Sequence, residues 1–223
     1  MSVSARPRRR RDAVRRPQIL ATAVELVREK GLWMVRISDV ARRAGVSPAS
    51  VVYYFGTKDE LFVQAIAGAD DAFYNELGPE LHAAQDPVAR LALLVVRSST
   101  SDWLLWVDLW LYARHHPDIS GAQRRFNRRW RNAIATAIRY GMEHGAWVVN
   151  EPDEAAQRLA AITDGLAVQM ILGEPDHTRE RYVEMTLTAA ALELGIDPGP
   201  LLSAAADVPV PSPHAPTARG DGA

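Results

Sequence analysis

Hydrophobic positions recur at helical spacing along most of this chain. In residues 15–29, for example, Ile19, Ala23 and Leu26 fall three or four positions apart, which predicts an amphipathic helix. Segments with the same period cover residues 37–44, 48–54, 58–76, 80–84, 87–99, 102–115, 119–144, 152–173 and 177–194. No segment alternates between apolar and polar residues for long enough to predict a strand. The pattern therefore predicts an all-α fold.

Capping and breaking residues set the expected helix boundaries. Ser47 before Pro48 is typical of a helix N-cap followed by proline in the first turn. Thr57 and Glu60 have the spacing of a capping box, which predicts a helix beginning near residue 58. The pair Gly78-Pro79 predicts that this helix ends at about residue 76.

Both ends of the chain have the composition of disordered segments. Residues 1–14 are rich in arginine and contain nothing that could build a core, which predicts a disordered basic arm. Residues 198–223 contain six prolines and show no periodicity, which predicts a disordered tail.

The charge is divided unevenly along the chain, although the total is close to zero. The 26 Lys and Arg residues nearly balance the 27 Asp and Glu residues. Residues 1–60, however, carry 13 basic against 6 acidic side chains, and the remainder carries 13 against 21. A basic first quarter joined to an acidic remainder indicates two tasks, with the basic part suited to a polyanion.

Several classes of protein are excluded by what the sequence lacks. With no cysteine, a disulfide-stabilised fold, a thiolate zinc site and a cysteine nucleophile are all ruled out. No apolar run approaches the roughly 18 residues of a membrane helix, and no signal-peptide pattern is present, so we expect a cytoplasmic protein with no membrane partner. A phosphate-binding glycine loop, a nucleophile elbow and a metal-ligand pair are also missing. We therefore expect no enzyme activity, no cofactor and no metal.

Residues 37–54 have the pattern of a helix-turn-helix motif. Gly45 lies in the turn between two short helices, where a left-handed backbone conformation is required. The second helix begins with small and polar residues, which allow a close approach to base edges in a major groove. Lys58 starts the next helix, where an ammonium opposes the helix dipole unless a phosphate lies opposite it.

Residues 15–62 resemble the N-terminal DNA-binding domain of the TetR family of transcriptional regulators. The resemblance is carried by the segments 39–41 and 44–47, by the aromatic run 53–55, and by Lys58 and Leu61. It implies a homodimeric, all-helical repressor with a DNA-binding domain at 15–62. A larger domain at 63–197 would bind a small-molecule effector and form the dimer. The paired DNA-binding domains would bind a palindromic operator in double-stranded DNA and leave it when the effector binds.

The resemblance also implies which residues face DNA. Two positions depart from the usual family pattern: Val52 replaces a tyrosine, and Arg36 stands where Thr or Ser often caps the second helix. Ser47 and Lys58 are placed to bind phosphate, whereas Ala49, Ser50 and Tyr53 are placed to contact bases. The candidate DNA-binding residues are Arg36, Ser47, Ala49, Ser50, Tyr53, Tyr54 and Lys58.

The C-terminal part is similar to the BetI-type, choline-responsive subgroup, most clearly at residues 103–106, 124–134 and 162–169. Trp103, Trp106 and Trp110 share one face of the predicted helix at 102–115. The faces of tryptophan rings attract cations. They suit either a site for a small effector, with a cation as one candidate, or a packed core. The candidate ligand-binding residues are Trp103, Trp106, Trp110, Trp130 and Asp164.

The last two predicted helices are apolar over wider faces than one buried stripe needs. The family resemblance implies that they form a four-helix interface across a two-fold axis, and burial within one chain is the alternative. The candidate interface residues are Leu159, Ile162, Leu166, Met170, Tyr182, Met185 and Leu192. An effector-independent architectural DNA-binding protein is the main alternative function, and a helical-bundle enzyme is a much weaker one.

Overall fold

In the computed structural model, helices joined by short turns make up nearly all of the described chain. The structure describes residues 6–210, with side chains for 15–117 and 119–210. These residues form ten α-helices and no β-strand, which confirms the all-α expectation. The helices are α1 (Arg6–Lys30), α2 (Ile37–Arg43), α3 (Pro48–Phe55), α4 (Lys58–Ala83), α5 (Pro87–Ser98), α6 (Trp103–Ala113), α7 (Pro117–Glu143), α8 (Pro152–Ile171), α9 (Arg179–Leu194) and α10 (Gly199–Ala206).

The helices pack into two compact units. The first, here the head unit, extends to Glu76 and also includes Asp102–Arg128. The second, the body unit, contains Leu77–Ser101 and the chain from Arg129 onward. The expected boundary between residues 62 and 63 does not coincide with this division, because α6 packs with the first four helices.

The head unit is built around one apolar core. Ile19 of α1, Val40 of α2, Val51 of α3, Phe62 of α4 and Leu109 of α6 are all buried in it. Burial of side chains this large is the main source of stability for such a unit. The helix-turn-helix motif is therefore held against three other helices.

Polar contacts also hold α6 in the head unit. The carboxylate of Asp108 accepts a hydrogen bond of 2.8 Å from the backbone N–H of Leu32. Gly31, beside it, has a φ of +78°, and a Cβ at this position would lie 3.1 Å from the Asp108 carboxylate. At the start of α6, Asp102 forms an ion pair with Arg28. These contacts attach α6 to the C-terminal end of α1 and to the loop that follows it.

The body unit contains α5, α8, α9, α10 and the second part of α7. Its core includes Leu94, Ile138, Tyr182 and Leu201, which are each almost wholly buried. The indole N–H of Trp147 donates a hydrogen bond of 2.8 Å to the backbone carbonyl of Ile138.

Two expected helix boundaries were wrong in the N-terminal half. The chain is helical from Arg6, so the expected disorder of residues 1–14 does not hold for 6–14, and 1–5 lie outside the described residues. Arginine is a good helix former, and Pro7 falls in the first turn, where proline is tolerated. Helix α4 continues through Pro79 to Ala83 and includes the predicted short segment 80–84 except for its last residue. Glu80 in this extension is paired with Arg97 at 2.8 Å.

The expected disorder of residues 198–223 was also wrong in part. Residues 199–206 form α10, which packs against α5 and α9. Its prolines precede or begin the helix, and Leu201 is completely buried. Proline content at a helix start does not prevent a short apolar helix from docking. Residues 211–223 lie outside the described part.

Candidate functional site

The second helix of the helix-turn-helix motif has one buried and one exposed face. Val51 and Phe55, four residues apart, are buried in the head-unit core. Ala49 and Tyr53 lie on the opposite side, and Tyr53 is 73% exposed. The exposed side is thus free to meet a groove while the inner side fixes the orientation of the helix.

The N-terminal end of α3 is organised by two serines. The Ser47 hydroxyl accepts a hydrogen bond of 3.1 Å from the backbone N–H of Ser50. The two hydroxyls also lie 2.9 Å apart and are hydrogen-bonded to each other. The predicted N-cap is therefore confirmed, and it places both hydroxyls at a helix N-terminus, which favours anions such as phosphate.

Asp39, not Arg36, caps helix α2. The Asp39 carboxylate accepts a hydrogen bond of 3.1 Å from the backbone N–H of Arg36. This bond holds the pKa of Asp39 below its usual range, and Arg42 pairs with the same carboxylate at 2.7 Å. Since a guanidinium has no acceptor, the exposed Arg36 side chain has no role in the cap.

Lys58 lies in the first turn of α4, between the two residues of the predicted capping box. Thr57 and Glu60 form that box through reciprocal hydrogen bonds of 3.2 and 3.1 Å. The Lys58 ammonium is 5.4 Å from the ring centres of both Phe62 and Tyr112. Burial lowers the pKa of Lys58. The cation at this end of the head unit is thus half-buried and supported by two aromatic rings.

Asp59 joins the same turn of α4 to α6 and to the start of α7. It accepts hydrogen bonds of 2.9 Å from the Tyr112 hydroxyl and from His116 Nδ1. The rings of Tyr112 and His116 are stacked 3.7 Å apart, and Trp33 packs edge-on against Tyr112. Sequence reasoning missed this cluster because its members come from three separate parts of the chain.

The predicted DNA-binding residues all lie in the head unit, along α3 and at the starts of its neighbours. Arg36, Ser47, Ala49 and Tyr53 are exposed. Ser50, Tyr54 and Lys58 are half-buried. The set therefore has the accessibility that an interface with DNA requires.

The tryptophans of α6 pack mainly within the head unit. Trp103 is buried, and Trp106 packs against Phe126 with ring centres 5.5 Å apart. The Trp110 indole N–H donates a hydrogen bond of 3.2 Å to the Asn127 side chain. Trp130 and Asp164 belong to the body unit instead, so the five predicted ligand residues are divided between the two units.

A small cavity lies between four helices of the body unit. It has room for on the order of one water molecule. Apart from Trp130, Thr163 and Thr186, its lining is aliphatic. The lining residues are Leu91, Leu94, Val95, Trp130, Ile134, Leu159, Thr163, Thr186 and Ala190.

Trp130 lines this cavity together with Thr163. Its indole N–H donates a hydrogen bond of 3.1 Å to the Thr163 hydroxyl. Asp164, the next residue of α8, is half-buried, and burial raises its pKa to about 6. The charge of Arg131 partly opposes that rise. An indole face and a poorly solvated carboxylate are the groups that bind organic cations.

Models of known families match both parts of the chain. Residues 19–65 match the model for bacterial regulatory proteins of the tetR family, and residues 88–195 match the C-terminal domain of BetI-type transcriptional repressors. The chain belongs to the TetR family of transcriptional regulators. It is thus a helix-turn-helix repressor with a DNA-binding and a ligand-binding part, in a family of regulators rather than enzymes.

The regulator is similar to several proteins of the same type. It is 24% identical over 181 residues to the transcriptional regulator BetI of Rhizobium meliloti, covering 78% of this chain and 87% of that one. It is 26% identical over 177 residues to BetI of Escherichia coli K12, with 75% and 88% covered.

Solved structures show the same fold. A transcriptional regulator from Saccharomonospora viridis, crystallised in complex with choline, is 29% identical with a TM-score of 0.71, covering 77% of this chain and 92% of that one. A TetR regulator from Haloarcula marismortui superposes with a TM-score of 0.73 at 21% identity, covering 82% and 99%.

Three of the residues expected at a dimer interface are instead buried inside a single chain of this TetR-family regulator. Leu159, Leu166 and Tyr182 pack within the body unit, and their place at a dimer interface stays a prediction. They lie on the inner faces of α8 and α9, which face each other. Leu192 is 80% exposed, and Ile162, Met170 and Met185 are half-buried.

Two further observations concern the described residues of the regulator. No helix within 6–210 combines the length and apolar character that spanning a membrane requires. In the same part of the chain, no three His, Asp or Glu side chains are grouped as a metal site would need.

Proposed function

We propose that this protein is a homodimeric repressor that binds a two-fold operator and is released from it by a small quaternary ammonium compound such as choline. The observation that carries the proposal is the choline complex of the S. viridis regulator, since that protein shares 29% identity and the fold with this chain. The similarity to BetI regulators supports the same effector class.

The head unit supports binding to a specific DNA site. Tyr53 and Ala49 lie on the outer side of α3, where they can reach base edges in the major groove. Ser47 and Lys58 lie beside them and supply contacts to phosphate, which position the helix on the duplex. Two such helices in a dimer lie about one DNA turn apart, ~34 Å, which matches two half-sites of a palindrome.

The body unit supports binding of a cationic effector. Trp130 offers an indole face, and Asp164 offers a carboxylate whose raised pKa shows that it lacks full solvation. A quaternary ammonium ion gains from both groups, since it cannot donate a hydrogen bond and is recognised by charge and by aromatic faces. Effector binding releases DNA only by the difference in its affinity for the two states, typically about 1–3 kcal/mol.

Titration calorimetry tests the effector. We expect choline to bind the full-length protein and its uncharged isostere 3,3-dimethylbutan-1-ol to bind at least tenfold more weakly. Asp164→Asn should weaken choline binding, whereas Asp153→Asn, an exposed site on the same helix, serves as the matched control. Equal binding of the charged and uncharged compounds, or no binding of choline, contradicts the proposed effector.

Sedimentation equilibrium tests the dimer. Leu192 is the most exposed of the residues proposed for the interface, so Leu192→Arg should produce monomers. Val148→Arg is the control, because Val148 is equally accessible but lies in the turn before α8. A monomeric wild-type protein, or a Leu192→Arg variant that stays dimeric, contradicts this part of the proposal.

A further inference from the structure

Thr186 lines the cavity of the body unit and has a buried hydroxyl with no hydrogen-bond partner. It lies in α9 and is only 1% exposed. Its Oγ1 finds no partner among the residues that the structure describes. Buried hydroxyls are nearly always paired, so an unpaired one at a cavity wall requires a physical explanation.

The polar side chains near Thr186, unlike Thr186 itself, have hydrogen-bond partners. The Tyr182 hydroxyl is paired with Ser98 Oγ at 3.0 Å, one turn before Thr186 on the same helix. The Thr163 hydroxyl accepts from the Trp130 indole and donates to the backbone carbonyl of Ala160 at 2.8 Å. Each of these groups is therefore already used, and the Thr186 hydroxyl is the group at the cavity wall that remains to bind a ligand.

We propose that Thr186 is a specificity-determining residue that hydrogen-bonds the hydroxyl group of the effector, so that the site selects a small cationic alcohol over a cation without a hydroxyl. This inference rests on the proposed function, because it places the effector in this cavity. Trp130, which lines the cavity, attracts the cationic end, and the charge of Asp164, next to the lining residue Thr163 on α8, adds to that attraction, while Thr186 lies on α9 and contacts the alcohol end.

The cavity must widen before choline can enter it. Its present volume holds on the order of one water molecule, and choline is several times larger. The aliphatic side chains that form most of the lining must therefore move apart as the effector enters. The protein with this cavity closed and the protein with it open are two states whose populations an effector shifts.

Paired substitutions in protein and ligand test the role of Thr186. Choline and ethyltrimethylammonium differ only in the hydroxyl group, and Thr186→Val removes the protein hydroxyl while keeping the shape of the side chain. We expect Thr186→Val to weaken choline binding by about three- to tenfold, the range of one neutral hydrogen bond. It should change the affinity for ethyltrimethylammonium by less than about twofold, and Thr186→Ser should restore most of the preference for choline.

The outcomes separate this inference from the proposed function. Suppose that wild-type protein binds choline, but Thr186→Val lowers the affinity for both ligands equally or for neither. Thr186 then does not recognise the ligand hydroxyl. If wild-type protein binds neither quaternary ammonium compound, the proposed effector class is wrong and this inference falls with it.

Discussion

The Tyr112 hydroxyl donates a hydrogen bond of 2.9 Å to the carboxylate of Asp59, which lies 53 residues earlier in the chain. Asp59 belongs to the first turn of α4, two residues after the end of the turn that follows α3. Tyr112 belongs to the last turn of α6. A helix that the sequence places with the ligand-binding part is thus fixed to the start of α4, beside Lys58, for which we propose a phosphate contact.

Removing this hydroxyl should destabilise the head unit. In Tyr112→Phe the ring still stacks on His116, but the bond to Asp59 is lost. We expect the free energy of unfolding to fall by about 1 kcal/mol, the usual net value of one hydrogen bond. Urea unfolding at pH 7 measures this, with Tyr53→Phe as the control at an exposed tyrosine. Equal stability of the two variants would show that the bond contributes nothing.

Lys58 should account for part of the salt dependence of DNA binding. Lys58→Met keeps the apolar stem over the Phe62 and Tyr112 rings and removes the charge. We expect the slope of log K against log salt to become less negative by about 1 for each head unit bound. The control is Lys30→Met, at the other lysine of the chain. An unchanged slope in Lys58→Met would remove this lysine from the phosphate contacts.

Asp164 should make stability depend on pH in a specific direction. Its pKa is about 6 in the folded protein against an ordinary value of 3.8, so the folded state binds this proton more tightly. The residue therefore supports folding most at pH values below about 4, and its contribution falls as the pH rises through 6. We therefore compare the free energy of unfolding of Asp164→Asn with that of wild type at two pH values. The difference, mutant minus wild type, should rise by about 1–3 kcal/mol from pH 4.5 to pH 7.5. A constant difference across this range would contradict the buried carboxylate.

Two helical glycines should respond oppositely to alanine. A Cβ at Gly141 of α7 would lie 1.9 Å from the ring of Trp147, whose indole is buried and hydrogen-bonded. Gly141→Ala should therefore destabilise the protein by about 3 kcal/mol or more. Apart from the adjoining residues and the local helix backbone, nothing lies within 4 Å of such a Cβ at Gly68 of α4, so Gly68→Ala should stabilise the protein by about 0.5–1 kcal/mol. Thermal unfolding of both variants compares them, and a tolerated Gly141→Ala would contradict the packing of Trp147.

Local signals in the sequence predicted the helix-turn-helix motif well. Ser47 caps α3, and Thr57 with Glu60 caps α4, because these interactions involve residues only three positions apart. Phe55 and Val51 are buried, as their spacing on α3 implies.

The missed features depend on contacts between distant residues. The continuation of α4 past Pro79 and the docking of α10 are decided by tertiary packing, which outweighs local breaking signals. The same holds for the bond between Asp59 and Tyr112 and for the bond between Trp130 and Thr163. At Leu159 and Tyr182, the sequence showed that the helix faces are apolar but not which neighbour covers them.

Footprinting of the purified protein on DNA flanking its own gene, with and without choline chloride, is the most direct test of a ligand-released repressor. Sodium chloride at the same concentration is the control, because DNA binding weakens with ionic strength alone. We expect a protected two-fold site from which choline removes the protection at a concentration where sodium chloride does not. Protection that spreads without a defined site, or a site that choline and sodium chloride affect equally, would contradict it and favour an effector-independent DNA-binding protein.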